Sequence, residues 1–260
     1  MSVNRPYRIT LRRLTSGLAL FLPLAIQGCT HANSPTTPKA QELFDLPVAQ
    51  PGMGGDQWGG GLAWDGTGFW TRIGNQFCKL DKLGHKTSCV DFMDSSVAVS
   101  GCIEWDGSSL WTSARDSVYQ LAPGTGEIMT RFPTPIPTGP TNEIVWDGVS
   151  LWIYGGGAPI VPRWYRVTPT GQILDSLPTL SLGNLGAAWD GRNVCCMTHP
   201  GRFVPQVYYS DFYRLTAAGG LFDQLRIEGI ILEQLAYDGH DFYSIGRSVT
   251  GPYRLCRLVL

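Results

Sequence analysis

Glu104-Trp105-Asp106-Gly107-Ser108-Ser109-Leu110-Trp111 spells a β-hairpin. Apolar residues lead into Asp-Gly and resume two residues beyond it. Glycine accepts the positive φ that a tight hairpin turn needs, because it has no Cβ to clash. The same unit recurs as Ala63-Trp64-Asp65-Gly66, Val145-Trp146-Asp147-Gly148, Ala188-Trp189-Asp190-Gly191 and Ala236-Tyr237-Asp238-Gly239. The aromatic positions are 41, 41, 43 and 48 residues apart. A period of this length is the mark of a repeat architecture.

Each unit continues in the same way. A second apolar strand follows the turn: Gly68-Phe69-Trp70, Ser109-Leu110-Trp111, Ser150-Leu151-Trp152 and Asp241-Phe242-Tyr243, with Asn193-Val194-Cys195-Cys196 in the fourth unit. A third strand carries Tyr119-Gln120-Leu121, Tyr165-Arg166-Val167, Tyr213-Arg214-Leu215 or Tyr253-Arg254-Leu255, with Cys78-Lys79-Leu80 in the first unit. Turns at Gly84, Gly126, Gly171 and Gly219 then lead into a fourth strand. A four-stranded antiparallel meander of this size cannot bury both faces alone, but copies arranged radially can. The fold class is therefore all-β, a five-bladed β-propeller of four-stranded antiparallel blades. The fifth unit stops at Leu260 after its third strand, so Gln41 to Val48 is expected to supply the missing strand, completing the last blade. On this reading the Trp-Asp-Gly units are turn and core, with no catalytic role.

Residues 41–260 form the propeller domain, and residues 1–28 read as a targeting segment. Arg5, Arg8, Arg12 and Arg13 precede the apolar run Leu18 to Ile26, which is too short to span a bilayer. The run ends in Ile26-Gln27-Gly28-Cys29, which resembles the lipobox of bacterial lipoproteins. That resemblance implies cleavage before Cys29, lipidation of its thiol and residence in the cell envelope, facing the periplasm or the exterior. Thr30 after the cysteine, in place of Asp, leans towards an outer membrane. Residues 29–40 are polar and Pro-containing and read as a flexible tether. Removing residues 1–28 leaves 16 Lys+Arg against 21 Asp+Glu, a net charge of −5. An acidic domain argues against nucleic acid as a partner.

Six cysteines follow Cys29. Cys78 and Cys89 flank one hairpin turn, which places them close across the ladder, where export would permit a disulfide. Cys195 and Cys196 are adjacent in a strand and should point one into each packed layer. No spacing of Cys and His supports a metal site, and no motif names a cofactor. Gly155-Gly156-Gly157 lacks the following helix and Lys-Ser/Thr of a phosphate loop.

Two sets of connections alternate in such a fold. The Trp-Asp-Gly and Gly turns share one face and are short and regular. The loops between second and third strands and the links between blades share the other face and are irregular, which points to that face as the working surface. Trp58, Arg72, Arg115, Glu143, Trp164, His199, Glu233 and Arg247 are its candidate ligand-binding residues. Trp58 and Trp164 would offer stacking surfaces, and Arg115 and Arg247 an anion contact. Glu143 and Glu233, read as lying just before first strands, would rim the channel mouth as a cation site or an acid–base pair, unless arginines such as Arg115, Arg163 or Arg247 neutralise them.

Residues 41–260 resemble the extracytoplasmic bacterial propellers with Trp-Asp-Gly repeats and, more distantly, the plant-type glutaminyl cyclases, which are also five-bladed. Those cyclases carry Phe-Thr-Gln-Gly-Leu leading into an early blade. Here the corresponding residues are Gly59-Gly60-Gly61-Leu62, of which only Gly-Leu matches. The resemblance implies fold, and no catalytic residue carries over. Two function classes remain: a membrane-anchored module that binds a protein or small molecule, and a small-molecule enzyme of cyclase or lactonase type using channel-mouth carboxylates.

Overall fold

The computed structural model describes residues 38–46, 61–74, 76–92, 99–114, 116–136, 141–156, 161–178, 186–198, 209–216, 219–247 and 252–260. The chain enters as β1 (Lys39–Asp45). Blade one holds β2 (Leu62–Trp64), β3 (Phe69–Ile73), β4 (Gln76–Leu80) and β5 (Lys86–Asp91). Blade two holds β6 (Val99–Trp105), β7 (Leu110–Ala114), β8 (Ser117–Leu121) and β9 (Ile128–Pro133). Blade three holds β10 (Thr141–Trp146), β11 (Leu151–Gly155), β12 (Arg163–Val167) and β13 (Ile173–Pro178). Blade four holds β14 (Gly186–Trp189), β15 (Val194–Thr198), β16 (Tyr209–Leu215) and β17 (Leu221–Glu228). In blade five the inner strand comes in two pieces, β18 (Ile231–Leu232) and β19 (Ala236–Tyr237), followed by β20 (Phe242–Arg247) and β21 (Arg254–Val259). Every strand pairing is antiparallel, and β1 lies against β21 as the outer strand of blade five. The five-bladed ring and its N-terminal closure are as the repeat pattern predicts. The closing strand begins at Lys39, two residues before the expected start.

Five hydrophobic layers fill the five gaps between blades. The first aromatic of each repeat packs towards the preceding blade and the second towards the next. Trp105 joins the layer between blades one and two, whereas Trp111 joins that between two and three. Cys195 and Cys196 divide between the two layers that flank blade four, as expected from their adjacency in one strand. Each large apolar side chain fully buried in this way contributes about 1.5–3 kcal/mol. Cys78 and Cys89 are register partners across β4 and β5 and form a disulfide.

The repeated aspartate serves more than the turn. In blade two, Asp106 Oδ1 accepts the backbone N–H groups of Ser108 and Ser109 at 2.8 and 2.7 Å. Its other oxygen accepts the indole N–H of Trp111 at 2.7 Å. Asp65 with Trp70, Asp147 with Trp152 and Asp238 with Tyr243 repeat the arrangement, at 2.7, 2.9 and 3.1 Å. In the fourth repeat the Cys195 thiol takes the indole's place on Asp190, at 3.4 Å. Third-strand side chains reach the same oxygen: Lys79 on Asp65, Gln120 on Asp106 and Arg166 on Asp147. Burial alone would raise these carboxyls. The converging donors outweigh it and hold all five below the usual carboxylate range, Asp65 at about 2.

A carboxyl lowered on folding stabilises above its unfolded pKa and loses that contribution as pH falls through the folded value. Stability should therefore hold down to about pH 4 and decline towards pH 2, the value that Asp65 approaches. Thermal melts across this range check the expectation. The closing strand gives a second test. Arg254 pairs with both Asp45 and Glu42, so β1 is held by ladder and ion pair together. Deleting residues 39–45 should lower the melting temperature by roughly 10 °C or more, since an outer strand worth several kcal/mol is lost and the β21 edge exposed. An unchanged melt would reject closure by this strand.

Candidate functional site

The inner strands β2, β6, β10, β14 and β19 surround the central channel. A cavity of about 160 Å³ lies there, lined by Trp64, Glu104, Trp105, Trp146, Trp189 and Tyr237 among others. Water takes about 30 Å³ per molecule in the liquid, so the space suits a short water column or a small polar solute. Inner strands leave one edge without a neighbouring strand, so backbone polar groups are available to such an occupant. The backbones crowd closely around the axis. A Cβ at Gly61, where φ is +55°, would stand 2.4 Å from Ile103.

Glu104 is the acidic residue in this lining. Its place before the Trp-Asp-Gly motif is Ala63, Val145, Ala188 or Ala236 in the other repeats. Glu143 lies on the neighbouring inner strand β10, paired with Tyr154 of β11, and is 5% exposed. Burial pushes both carboxyls well above the usual range, and the charge of Glu104 raises Glu143 further. Glu104 accepts the N–H of Trp105, which opposes its rise. No cation among the described residues offsets either shift. These two acids are held protonated well into the range where exposed glutamates ionise.

Glu143 also borders the layer between blades three and four, where it acts on the Cys196 thiol. The fully buried Tyr213 hydroxyl has that thiol as its polar neighbour. The Trp164 indole N–H is buried nearby in the same layer without a hydrogen-bond partner among the described residues. A run of polar groups thus leads from the channel outwards inside an otherwise apolar layer.

The expected site residues distribute unevenly. Trp164 is not on a loop. It is the second residue of β12, 1% exposed and tilted against Tyr154 at 5.2 Å, so it cannot serve as a stacking surface. The cause is strand periodicity: Trp164 alternates with Arg163 and Tyr165 and takes the inward place. Glu143 is inside its strand and not before it, and the carboxyl that raises it is Glu104, not Glu233. Glu233 sits half-buried at the break between β18 and β19, with its N–H donating to Ile245 O at 2.8 Å. Arg72 is half-buried in β3, where burial lowers its pKa against the opposing influence of Cys102. Arg247 ends β20 and places its guanidinium over the Tyr253 ring at 5.3 Å. Trp58, Arg115, His199 and Cys29 lie outside the described residues. Glu104 was legible as the charged exception in an apolar repeat position.

On the turn face a cleft of about 310 Å³ opens between blades four and five. Its charges are engaged with one another, Arg214 with Asp190 and Arg257 with Asp241. That leaves the channel acids as the site with unspent chemistry.

No protein-family model matches the sequence, and no curated protein matches it. Among solved structures the chain is similar to a chain of the mitotic checkpoint complex, at 13% identity with a TM-score of 0.50, over 89% of this chain and 82% of that one. It is also similar to Kuenenia stuttgartiensis hydrazine synthase, at 16% identity with a TM-score of 0.44, over 78% and 60% of the two chains. At such identities the likeness to the first is one of fold, and nothing is built on the second.

A glutamate whose pKa is raised on folding contributes the opposite pH dependence to the turn aspartates. The folded state keeps a proton that the unfolded chain releases above about pH 4.3, so stability falls as pH rises from there. Glu143→Gln keeps the shape and removes the titration. It should raise the melting temperature at pH 8 and change it little at pH 4. Equal shifts at both pH values would contradict a neutral buried Glu143.

Proposed function

We propose that this protein is a lipid-anchored, extracytoplasmic β-propeller that binds a ligand at the channel and over its irregular loop face. One observation carries the binding reading: Glu104 and Glu143 sit on adjacent inner strands, Glu104 half-buried in the cavity wall and Glu143 buried, without a compensating cation among the described residues. Such a pair works against stability, and perturbed carboxyls in a cleft are common at functional sites. A propeller scaffold is consistent with a binding module, and the similar chain named above belongs to a protein complex. The anchor rests on Ile26-Gln27-Gly28-Cys29 and the arginine-rich segment before it.

A second reading draws on the same pair. A carboxyl kept protonated near neutral pH can act as a general acid, with an ionised partner as base. This supports a small-molecule enzyme as the alternative, without assigning a reaction.

Affinity capture from envelope extracts and from small-molecule extracts, read by mass spectrometry, tests the binding reading. A species retained by the wild-type chain should be lost by Glu104→Gln/Glu143→Gln, with the fold intact by circular dichroism. A retained species indifferent to this variant and to loop-face changes, but lost on altering the turns, would reverse the assignment of faces. The anchor is tested separately. Cys29→Ala should leave an uncleaved, unlipidated precursor, and a mature-size form still partitioning into detergent would contradict it.

A further inference from the structure

The outer strands of blades one to four share an irregularity. Each carries a β-bulge opposite the last pair of residues of the third strand. The register skips at Lys79/Leu80, Gln120/Leu121, Arg166/Val167 and Arg214/Leu215. The residue left without a partner is Thr87, Met129, Leu174 and Phe222 in turn. A bulge re-aims the side chain of its extra residue. Here it turns one side chain per blade outwards, on the rim beside the regular turns. Three of the four are large and apolar, with Met129, Leu174 and Phe222 being 57%, 51% and 68% exposed. Ile173, Leu221, Leu83 and Val149 lie at the same end of the molecule, at 53%, 43%, 70% and 72%. Of the nine large apolar side chains that stand exposed among the described residues, these seven share the turn face. Leu43, the bulged residue of β1, and Val161 lie elsewhere.

The start of β1 falls on this same face. Lys39 pairs with Val259 at the end of β21, and Asp45 pairs with Arg254 at its beginning. The third strand of every blade runs from the loop face to the turn face, so β1 starts at the turn face. Lys39 is ten positions beyond Cys29, and ten fully extended residue steps span at most about 36 Å.

We propose that the turn face is the side on which this protein rests against a lipid bilayer, with Met129, Leu174 and Phe222 and their apolar neighbours as the contacts and the loop face turned outwards. This rests on the reading of Cys29 as the lipid-bearing residue. The short tether draws this rim to the surface, and the exposed apolar side chains give it something to insert. Lys82 and Lys86, exposed on either side of Leu83, and Arg192 in the blade-four turn add attraction to anionic headgroups, against the exposed Glu127 and Asp175. Seated this way, the irregular loop face is turned away from the bilayer.

The test couples the thiol of Cys29, in the chain from that residue onward, to a maleimide phospholipid in phosphatidylethanolamine–phosphatidylglycerol vesicles. The free cysteines Cys102, Cys195, Cys196 and Cys256 are buried and stay unreacted. Hydrogen–deuterium exchange is then compared with the uncoupled chain in solution. Peptides spanning residues 168–175 and 219–224 should exchange several-fold more slowly on vesicles, and residues 161–166 should not change. Leu174→Glu with Phe222→Glu should abolish the protection. Protection confined to the loop-face peptide, or absent from both, would overturn the orientation. So would equal protection in concentrated vesicle-free solution at dimer mass, which would identify a second copy as the occupant. Mass spectrometry of the cell-made protein reads the anchor independently. An unmodified Cys29 would overturn the anchor and the bilayer as natural occupant, whereas an acylated Cys29 with an unprotected turn face would overturn the orientation alone.

Discussion

One carboxylate per repeat organises this molecule. The aspartate after each inner-strand aromatic closes the hairpin through backbone N–H groups with one oxygen. With the other it satisfies the polar atom of a side chain that must be buried between blades. Without it, the indole N–H groups of Trp70, Trp111 and Trp152 would enter apolar layers unpaired, at about 1–3 kcal/mol each. The same residue therefore couples local turn geometry to the packing of neighbouring blades, and it does so around the ring. The fourth repeat shows the arrangement at its loosest. Cys195 replaces the tryptophan, and the thiol of Cys195 and the guanidinium of Arg214 stand 3.4 and 3.5 Å from Asp190.

That device commits one face to structure. Its turns are short, hydrogen-bonded and alike, and Lys79, Arg166 and Arg214 are engaged with the aspartates. The channel carries the opposite pattern. Glu104 stands where the other repeats place Ala or Val, and Glu143 where they place Gly61, Cys102, Gly186 and Gln234. The charge of Glu104 raises Glu143 and that of Asp106 raises Glu104, and no cation among the described residues offsets either. The two sets of acids make opposite contributions to stability. The turn aspartates support the fold and are lost in acid, whereas the channel glutamates weaken it as pH rises. A fold with five well-satisfied carboxylates can carry two poorly satisfied ones, and such residues are commonly kept for function.

The architecture was legible because its determinants are local and repeated. Asp-Gly turns, alternating apolar strands and a missing final strand were enough to place five blades and their closure. The site was legible only in part. Trp164 sits in a stretch next to a Gly- and Pro-rich loop, and the sequence there does not show that strand pairing begins at Arg163 and turns the indole inwards. Glu143 was singled out, but its partner depends on which inner strands are neighbours across the channel. Glu104 belongs to the preceding repeat, and only the packing of blade three against blade two brings the two together. The bulges that expose Met129, Leu174 and Phe222 likewise depend on register, which composition does not reveal.

The dependence of the fold on the aspartate–indole bond can be measured by a double-mutant cycle between Asp106 and Trp111 in equilibrium denaturation. Asp106→Asn keeps an oxygen for the turn but turns an amide donor towards the indole N–H, and Trp111→Phe removes that donor. The account predicts that Asp106→Asn destabilises the wild-type chain by at least about 1 kcal/mol more than it destabilises the Trp111→Phe chain. Additive effects of the two substitutions would show that the carboxylate only closes its own turn, and that the link between turn and inter-blade packing is absent.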